Sequence, residues 1–231
     1  VPMDFRNIIF VAFHSNPFGG HLNATRTLHR IRLRFYWPRM YTYITKMCGA
    51  CPGCALTNPT RAKSRELMYN FPIEAPFLVL HIDGYQAGKE SGFEGSSHYL
   101  IACCGMCTFA VMEPVTNANA TSYASAIMKI ILRFGFCHTC VLDKDSKFFG
   151  VCREALDLMK IDCHVLSGGN HNPMIVERLN RYLNEGLRIM TNERDSNRIA
   201  LETILLLIYA WNSSSVPGTD ISRSLVAVGR E

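Results

Sequence analysis

Acidic side chains are nearly missing from the first seventy residues, where Asp4 and Glu66 stand against ten Lys and Arg. That excludes an acidic or neutral front surface and leaves a local formal charge of +8. Residues 71–231 carry fourteen Lys and Arg against seventeen Asp and Glu, or −3, so the overall +5 is a focused positive field. Such a field suits a polyanionic partner. Long hydrophobic runs are also lacking. The longest, Ile204 to Trp211, is far too short to cross a bilayer as a helix, and no membrane partner is expected. No internal repeat or low-complexity tract is present, which excludes a repeat array. No secretory pattern opens the chain. It begins at Val1 rather than Met, and a piece of a longer chain is expected.

What is present in quantity is cysteine, ten residues of it. A disulfide scaffold does not fit. Cys103, Cys104, Cys107, Cys140, Cys152 and Cys163 lie within apolar stretches, and Cys137 lies beside one. There cysteine acts as a small buried hydrophobe in a reducing compartment. The spacing Cys137-His138-Thr139-Cys140 runs into a strand and is read as packing. The other three, Cys48, Cys51 and Cys54, follow His14 and His21, which are seven positions apart across a Gly- and Pro-rich turn. Two imidazoles and two thiolates make the closed tetrahedral set of a structural zinc. Both Cys48/Cys51 and Cys51/Cys54 are Cys-x-x-Cys pairs, so spacing alone leaves the thiolates open. Between the ligand pairs a helix is expected over Ala24 to Tyr36, with Leu28, Ile31 and Phe35 along an apolar face. Arg26, Arg30 and Arg34 repeat every four residues on another face, which could meet phosphates. Pro38 stops this helix or opens the next, where Met40, Ile44 and Met47 repeat helically. So small a unit has little core of its own. Zinc can supply the missing folding energy, on the order of 10–16 kcal/mol in small zinc peptides.

Three carboxylates stand at telling places. Asp83 follows the apolar run Phe77–Ile82, Asp143 follows Cys140-Val141-Leu142, and Glu177 opens a helical-looking stretch to Leu183. Carboxylates at two strand ends and on a helix can converge, and hard oxygens so gathered suit Mg²⁺ or Mn²⁺. Asp145, two residues beyond Asp143, is an alternative ligand. A linker rich in Thr, Asn, Pro and basic residues precedes them. After it, strands are expected at 76–83, 98–104 and 107–113, a helix from Ala118 to Phe134 and a strand at 138–143. A helix at 147–159, a strand at Ile161–Leu166 and helices at 174–190 and 195–212 follow. The order β-β-β-α-β-α-β-α-α predicts an α/β chain with a mixed sheet flanked by helices.

These residues also carry a resemblance. His14…Gly19-Gly20-His21, then Arg34-Phe35-Tyr36-Trp37-Pro38-Arg39-Met40, then Cys51…Cys54 resemble the His-His-Cys-Cys domain of retroviral and retrotransposon integrases. The likeness is greatest to the long-terminal-repeat retrotransposon branch, of gypsy or copia type. The distance from its Trp-Pro-x-Met element selects Cys51 and Cys54 over Cys48. Asp83 resembles the family's first catalytic Asp, Leu142-Asp143-Lys144-Asp145-Ser146-Lys147-Phe148 its second, and Glu177-Arg178-Leu179-Asn180-Arg181 its Glu. Tyr209-Ala210-Trp211-Asn212-Ser213 and Val228-Gly229-Arg230-Glu231 resemble the close of its core. Thirty-three residues separate Asp143 from Glu177, two fewer than the family usually has, and the shortening falls in Gly168–Val176. The turn Gly105-Met106-Cys107-Thr108 lacks an Asp usual there.

The resemblance implies an RNase H-like core at 73–231, behind a zinc-binding domain at 1–57 and a linker at 58–72. The family's C-terminal DNA-binding domain is expected to lie outside this piece of a Pol polyprotein. It implies structural Zn²⁺ on His14, His21, Cys51 and Cys54, and two Mg²⁺ or Mn²⁺ on catalytic Asp83, Asp143 and Glu177. Arg26, Arg30, Arg34, Arg178 and Arg181 become candidate nucleic-acid contacts. The implied activity is two-metal phosphoryl transfer, with 3′-end processing and strand transfer of element DNA into host DNA. A homo-oligomer, dimer or tetramer, would assemble in cytoplasmic particles and act in the nucleus. Two other readings stand beside it: an RNase H-like nuclease or transposase, and an inactive nucleic-acid-binding remnant of a transposon.

Overall fold

The computed structural model describes residues 1–57, 75–87, 98–135, 137–143, 145–166, 175–193 and 201–230. The expected linker at 58–72 and residues 168–174 of the shortened segment lie outside the described residues. The chain compacts into two units. One joins Val1–Ala62 to Tyr182–Glu231, and the other is Lys63–Arg181. Neither is coextensive with a segment of the division at 57 and 72, because the closing helices pack with the front of the chain. No described helix is long and apolar enough to cross a membrane.

The second unit holds a five-stranded sheet of β1 (Val79–Gln86), β2 (His98–Cys104), β3 (Ala110–Val115), β4 (Thr139–Asp143) and β5 (Asp162–Leu166). Its order is β3-β2-β1-β4-β5. The β1–β2 and β2–β3 pairs are antiparallel, and the β1–β4 and β4–β5 pairs are parallel. This is the mixed α/β sheet that the element order predicted. Nearly every described residue of β2 and the first four of β1 are buried, as in strands covered on both faces. Helix α5 (Ala120–Phe134) packs on β3, burying Tyr123, Ala126, Ile127, Ile130 and Ile131. Asn119 caps it, its side chain accepting from Ser122 N.

Three boundaries differ from expectation. Strand β1 runs on to Gln86, so Asp83 lies inside it, because Tyr85 continues the buried pattern past Gly84. Strand β3 starts at Ala110, since residues 105–107 form the hairpin turn and Thr108 takes a positive φ of 57°. The helix expected at 147–159 is split into a 3₁₀ turn, Ser146–Phe148, and α6 (Val151–Leu158), broken at Gly150 with φ 62°.

The first unit is helical: α1 (Met3–Phe10), a π turn (Val11–Ser15), α2 (Ala24–Arg32), α3 (Met40–Gly49) and α4 (Pro52–Thr57). To it belong the later part of α7 (Ile175–Glu193), α8 (Leu201–Asn212) and α9 (Arg223–Val228). Helix α2 ends four residues before the expected Tyr36. The chain turns there, with Arg34 N and Phe35 N both donating to Ile31 O, and Trp37 enters the core. Ile31, Trp37, Met40 and Ile44 form that core, with Leu28, Phe35, Ile9 and Phe13 packed on it. α1, α4 and α9 had no counterpart in the expected elements.

Candidate functional sites

His14 ends the π turn and His21 closes the loop after it. Asn16 Oδ1 accepts from Gly19 N at 2.9 Å, and His21 N donates to His14 O at 3.0 Å, so the loop folds back on itself. A Cβ at Gly19 would lie 2.6 Å from the His14 backbone, and one at Gly20 would lie 2.5 Å from Tyr182 Oη. Only glycine fits at either place, and Gly20 also has φ 63°. Pro52 starts α4, where a missing N–H costs nothing, and Ala55 N closes on Cys51 O.

These turns gather one ligand atom each from His14, His21, Cys51 and Cys54, all within 4.8 Å of one another. Among the described residues this is the one such group of His, Cys, Asp or Glu. His14 Nε2 lies 3.5 Å from Cys54 Sγ, and His21 Nδ1 lies 3.5 Å from Cys51 Sγ and 3.6 Å from Cys54 Sγ. A tetrahedral zinc with ordinary Zn–S and Zn–N bonds needs sulfur–nitrogen edges of about 3.5 Å. The donor set and its edges therefore fit zinc. Burial, then His21, lowers the His14 pKa to about 4, which keeps its imidazole neutral as a ligand must be.

Thr27, which the sequence did not single out, sets the tautomer of His14. Its hydroxyl donates to Leu22 O at 3.0 Å, so Oγ1 accepts from His14 Nδ1–H at 3.4 Å. That leaves Nε2 bare toward the thiols. Cys48 Sγ lies 3.5 Å from the same Nδ1 rather than from Nε2, and burial pushes its thiol up to about 11. It stands behind the ligand histidine, outside the donor set.

The basic face of α2 is divided. Arg30 is buried and donates to Phe18 O at 3.0 Å and to Gly19 O at 3.3 Å. Its place as a candidate nucleic-acid contact is corrected: it holds the ligand loop. The Arg26 guanidinium lies 4.5 Å from the Trp211 ring, as does that of Arg223. Arg34 is exposed and lies beyond the end of α2, and Arg178 and Arg181 are exposed on α7.

In the second unit, β1 and β4 run parallel with Ile82 opposite Leu142, so Asp83 and Asp143 come next on neighbouring strands. Asp83 is half-buried, and Asp143 is exposed at the end of its strand. Asp83 Oδ1 accepts from Gly84 N at 2.7 Å, and Oδ2 accepts from Asn180 Nδ2 at 2.8 Å. Asn180 is one helical turn beyond Glu177, which is exposed in the first turn of α7. Burial raises the Asp83 pKa and Asp143 adds to the rise, while the Gly84 N–H, Lys147 and Asn180 oppose it. Asn180 Oδ1 is buried with no hydrogen-bond partner among the described residues. Carboxylate oxygens on adjacent strands and an unsatisfied amide oxygen on Asp83's partner are the hard donor types that Mg²⁺ or Mn²⁺ takes. Asp145 is committed elsewhere: it accepts from Lys147 N at 3.2 Å and pairs with Lys147 Nζ at 2.7 Å.

Residues 1–60 match the family described as the integrase zinc binding domain. The chain is 25% identical over 197 residues to the "Retrovirus-related Pol polyprotein from transposon 412" of Drosophila melanogaster, covering 82% of this chain and 16% of the polyprotein. It is 23% identical over 138 residues to "Gypsy retrotransposon integrase-like protein 1" of Bos taurus, covering 58% of this chain and 27% of that protein. The chain thus spans only a minor part of these relatives. In fold it is similar to a chain of the simian T-cell lymphotropic virus intasome, solved in complex with PP2A regulatory subunit B56 gamma. The TM-score is 0.59 at 12% identity, covering 94% of this chain and 76% of that one.

Proposed function

We propose that this chain is an integrase of the long-terminal-repeat retrotransposon type, as its similarity to the integrase zinc binding domain and to Pol polyprotein relatives supports, and that it cuts and joins DNA by phosphoryl transfer at Asp83, Asp143 and Glu177. One observation carries the reading. The parallel β1–β4 register sets Asp83 beside Asp143, and the Asn180–Asp83 bond ties Asp83 to the helix that bears Glu177. Bound there, two Mg²⁺ or Mn²⁺ ions would activate the attacking oxygen and stabilise the leaving one.

The residues supply the rest. Gly84 N–H and Asn180 Nδ2 hold the Asp83 carboxylate in one orientation. Glu177 sits exposed in the first turn of α7. Asp143 and Glu177 are exposed, within reach of a duplex too large to enter a closed pocket. In the first step water attacks a backbone phosphorus near the element's 3′ end, and the bond to the 3′ oxygen breaks. In the second, the freed 3′-hydroxyl attacks a phosphorus of host DNA. One site serves both, because each is an in-line exchange of one P–O bond for another.

Arg34, Arg178, Arg181 and the half-buried Arg26 would grip phosphates, an affinity without sequence choice and with strong salt dependence. Zn²⁺ on His14, His21, Cys51 and Cys54 is structural, since four protein ligands leave no open position. A homo-oligomer, a dimer or tetramer, would hold the two element ends, working in the nucleus after assembly in cytoplasmic particles.

The test is resealing of a branched DNA, the reverse of strand transfer, with Mg²⁺ or Mn²⁺. The parent should yield product, while Glu177→Gln binds DNA equally and yields none. Equal resealing by the variant rejects the assignment. The thirty-three-residue spacing from Asp143 to Glu177 favours a second reading, a DNA-binding remnant without activity. Intact DNA binding with no product from the parent would establish it.

A further inference from the structure

The Lys147 ammonium pairs with Asp145, and its charge also reaches Asp83. Lys147 is the middle residue of the 3₁₀ turn that follows β4. Asp145 takes its ammonium at 2.7 Å and its backbone N–H at 3.2 Å. Its Nζ lies 5.4 Å from the Tyr123 ring centre and 5.5 Å from that of Phe148, and these two rings meet edge to face at 5.5 Å. The side chain is 19% exposed. Against it lies the backbone of Gly84, the residue after Asp83. A Cβ there would overlap the ammonium, lie 2.6 Å from Lys147 Cε and lie 2.9 Å from Tyr123 Oη.

A lysine usually gives up much rotamer freedom when it binds a phosphate. Here an ion pair, two aromatic faces and a glycine backbone have already fixed it. An ammonium has three N–H donors, and Asp145 occupies one side of it. A turn-stabilising ion pair would need only Asp145. It would not bring the ammonium up to Gly84, the residue after Asp83, where the missing side chain leaves it room. A fixed cation whose charge reaches Asp83 is a pattern for a ligand that brings both metal ions and negative oxygens.

We propose that Lys147 contacts the reacting phosphate, its ammonium donating to a non-bridging oxygen of the DNA backbone beside Asp83. This rests on the phosphoryl-transfer reading above. The chemistry it adds is neutralisation of charge that grows on that oxygen in the transition state, from a donor set in place beforehand.

Lys147→Met tests it, with Lys147→Gln in reserve should Met disturb the fold, and circular dichroism and zinc content as checks. Anisotropy with the branched DNA, in buffer without added Mg²⁺ or Mn²⁺, gives affinity as a function of salt. Loss of one phosphate contact should lower the slope of log affinity against log salt by about one. Resealing at saturating DNA should fall at least about tenfold, with KM moving less than about threefold, since the contact tightens in the transition state. Lys147→Arg should restore the slope. An unchanged slope in Lys147→Met, or a turnover number within about twofold of an active parent, overturns the proposal. If Glu177→Gln is dead while Lys147→Met matches the parent, Lys147 alone has failed. If the parent itself makes no product, the enzyme reading has failed, and the slope decides whether Lys147 touches DNA.

Discussion

The two units bury different things. Every buried polar or charged side chain among the described residues lies in the first unit, except His81 and Glu113. There His14, His21, His29, Arg30 and Arg223 share the interior with Trp37, Trp211 and aliphatics such as Leu22, Ile31, Leu183 and Leu207. The second unit buries sheet residues such as Leu80, Ile82, Leu100, Ile101, Val141 and Leu142 beneath Ile127, Ile130 and Ile131. Apolar burial is additive and forgiving, because each methylene counts and neighbours can shift. Buried polar groups are not forgiving: each must find its partner, and removing one strands another. The first unit should therefore fail in whole steps and the second by degrees.

The largest break should come at the metal. His14→Ala, or chelation of the parent, removes a ligand set worth on the order of 10 kcal/mol in small zinc peptides. We expect zinc loss, lost helicity and fast hydrogen exchange across Val1–Ala62, with β1 to β5 still protected. Equal loss of protection in the strands would erase the distinction between the units. Next should be Trp211→Ala. Trp211 packs against Tyr182 with ring centres 5.3 Å apart and tilted by 39°, and it carries the Arg26 and Arg223 guanidiniums. A cost of about 3–5 kcal/mol is expected by denaturant unfolding. Ile127→Ala in the second unit should cost about 2–4 kcal/mol, and a larger effect there than at Trp211 would reverse the ranking.

Gly20→Ala comes third, at about 2–3 kcal/mol, from a positive φ and a Cβ set against Tyr182 Oη and Ala210 Cβ. A silent substitution would mean that the ligand loop moves freely off α8. The smallest contrast lies within the basic set. Arg30→Met should cost about 1–3 kcal/mol, because two carbonyls lose their donor, and leave DNA affinity per folded molecule nearly unchanged. Arg34→Ala should stay within about 0.5 kcal/mol in stability and lower the salt slope of DNA binding by about one. Exchanged outcomes would put Arg30, not Arg34, on the DNA.

Much of the fold could be read from the chain because its signals are local. Short apolar runs marked the strands of the sheet, and the His14–His21 pair with the Cys-x-x-Cys spacings after it marked the metal cluster, the family resemblance selecting Cys51 and Cys54. What escaped depends on residues distant in sequence. The repeat of Arg26, Arg30 and Arg34 defines a helix face but not which side of it is inward. That is decided by Tyr209 and Trp211, far along the chain. α1 was missed because Met3, Phe5 and Ile8 are exposed and leave no clean apolar stripe. Thr27 gave no signal, since its partner is the second nitrogen of a ligand histidine thirteen residues earlier. Cys48 and Cys51 were equivalent by spacing. The resemblance chose Cys51, and the direction in which each sulfur meets a ring nitrogen gives the physical reason.

The first unit is built from the two ends of the chain, Val1–Ala62 and Tyr182–Glu231. That has a consequence for synthesis on the ribosome. The Gly20–Tyr182 bond and the Arg26–Trp211 stack join partners that do not exist together until synthesis has passed Tyr182 and Trp211. Between Ala62 and Tyr182 lie about 120 residues, or roughly 6–24 s of elongation. For that interval the nascent front segment must rely on zinc and on its small Ile31–Trp37–Ile44 core. Metal supply during translation, rather than afterwards, would then set how many chains reach the folded state.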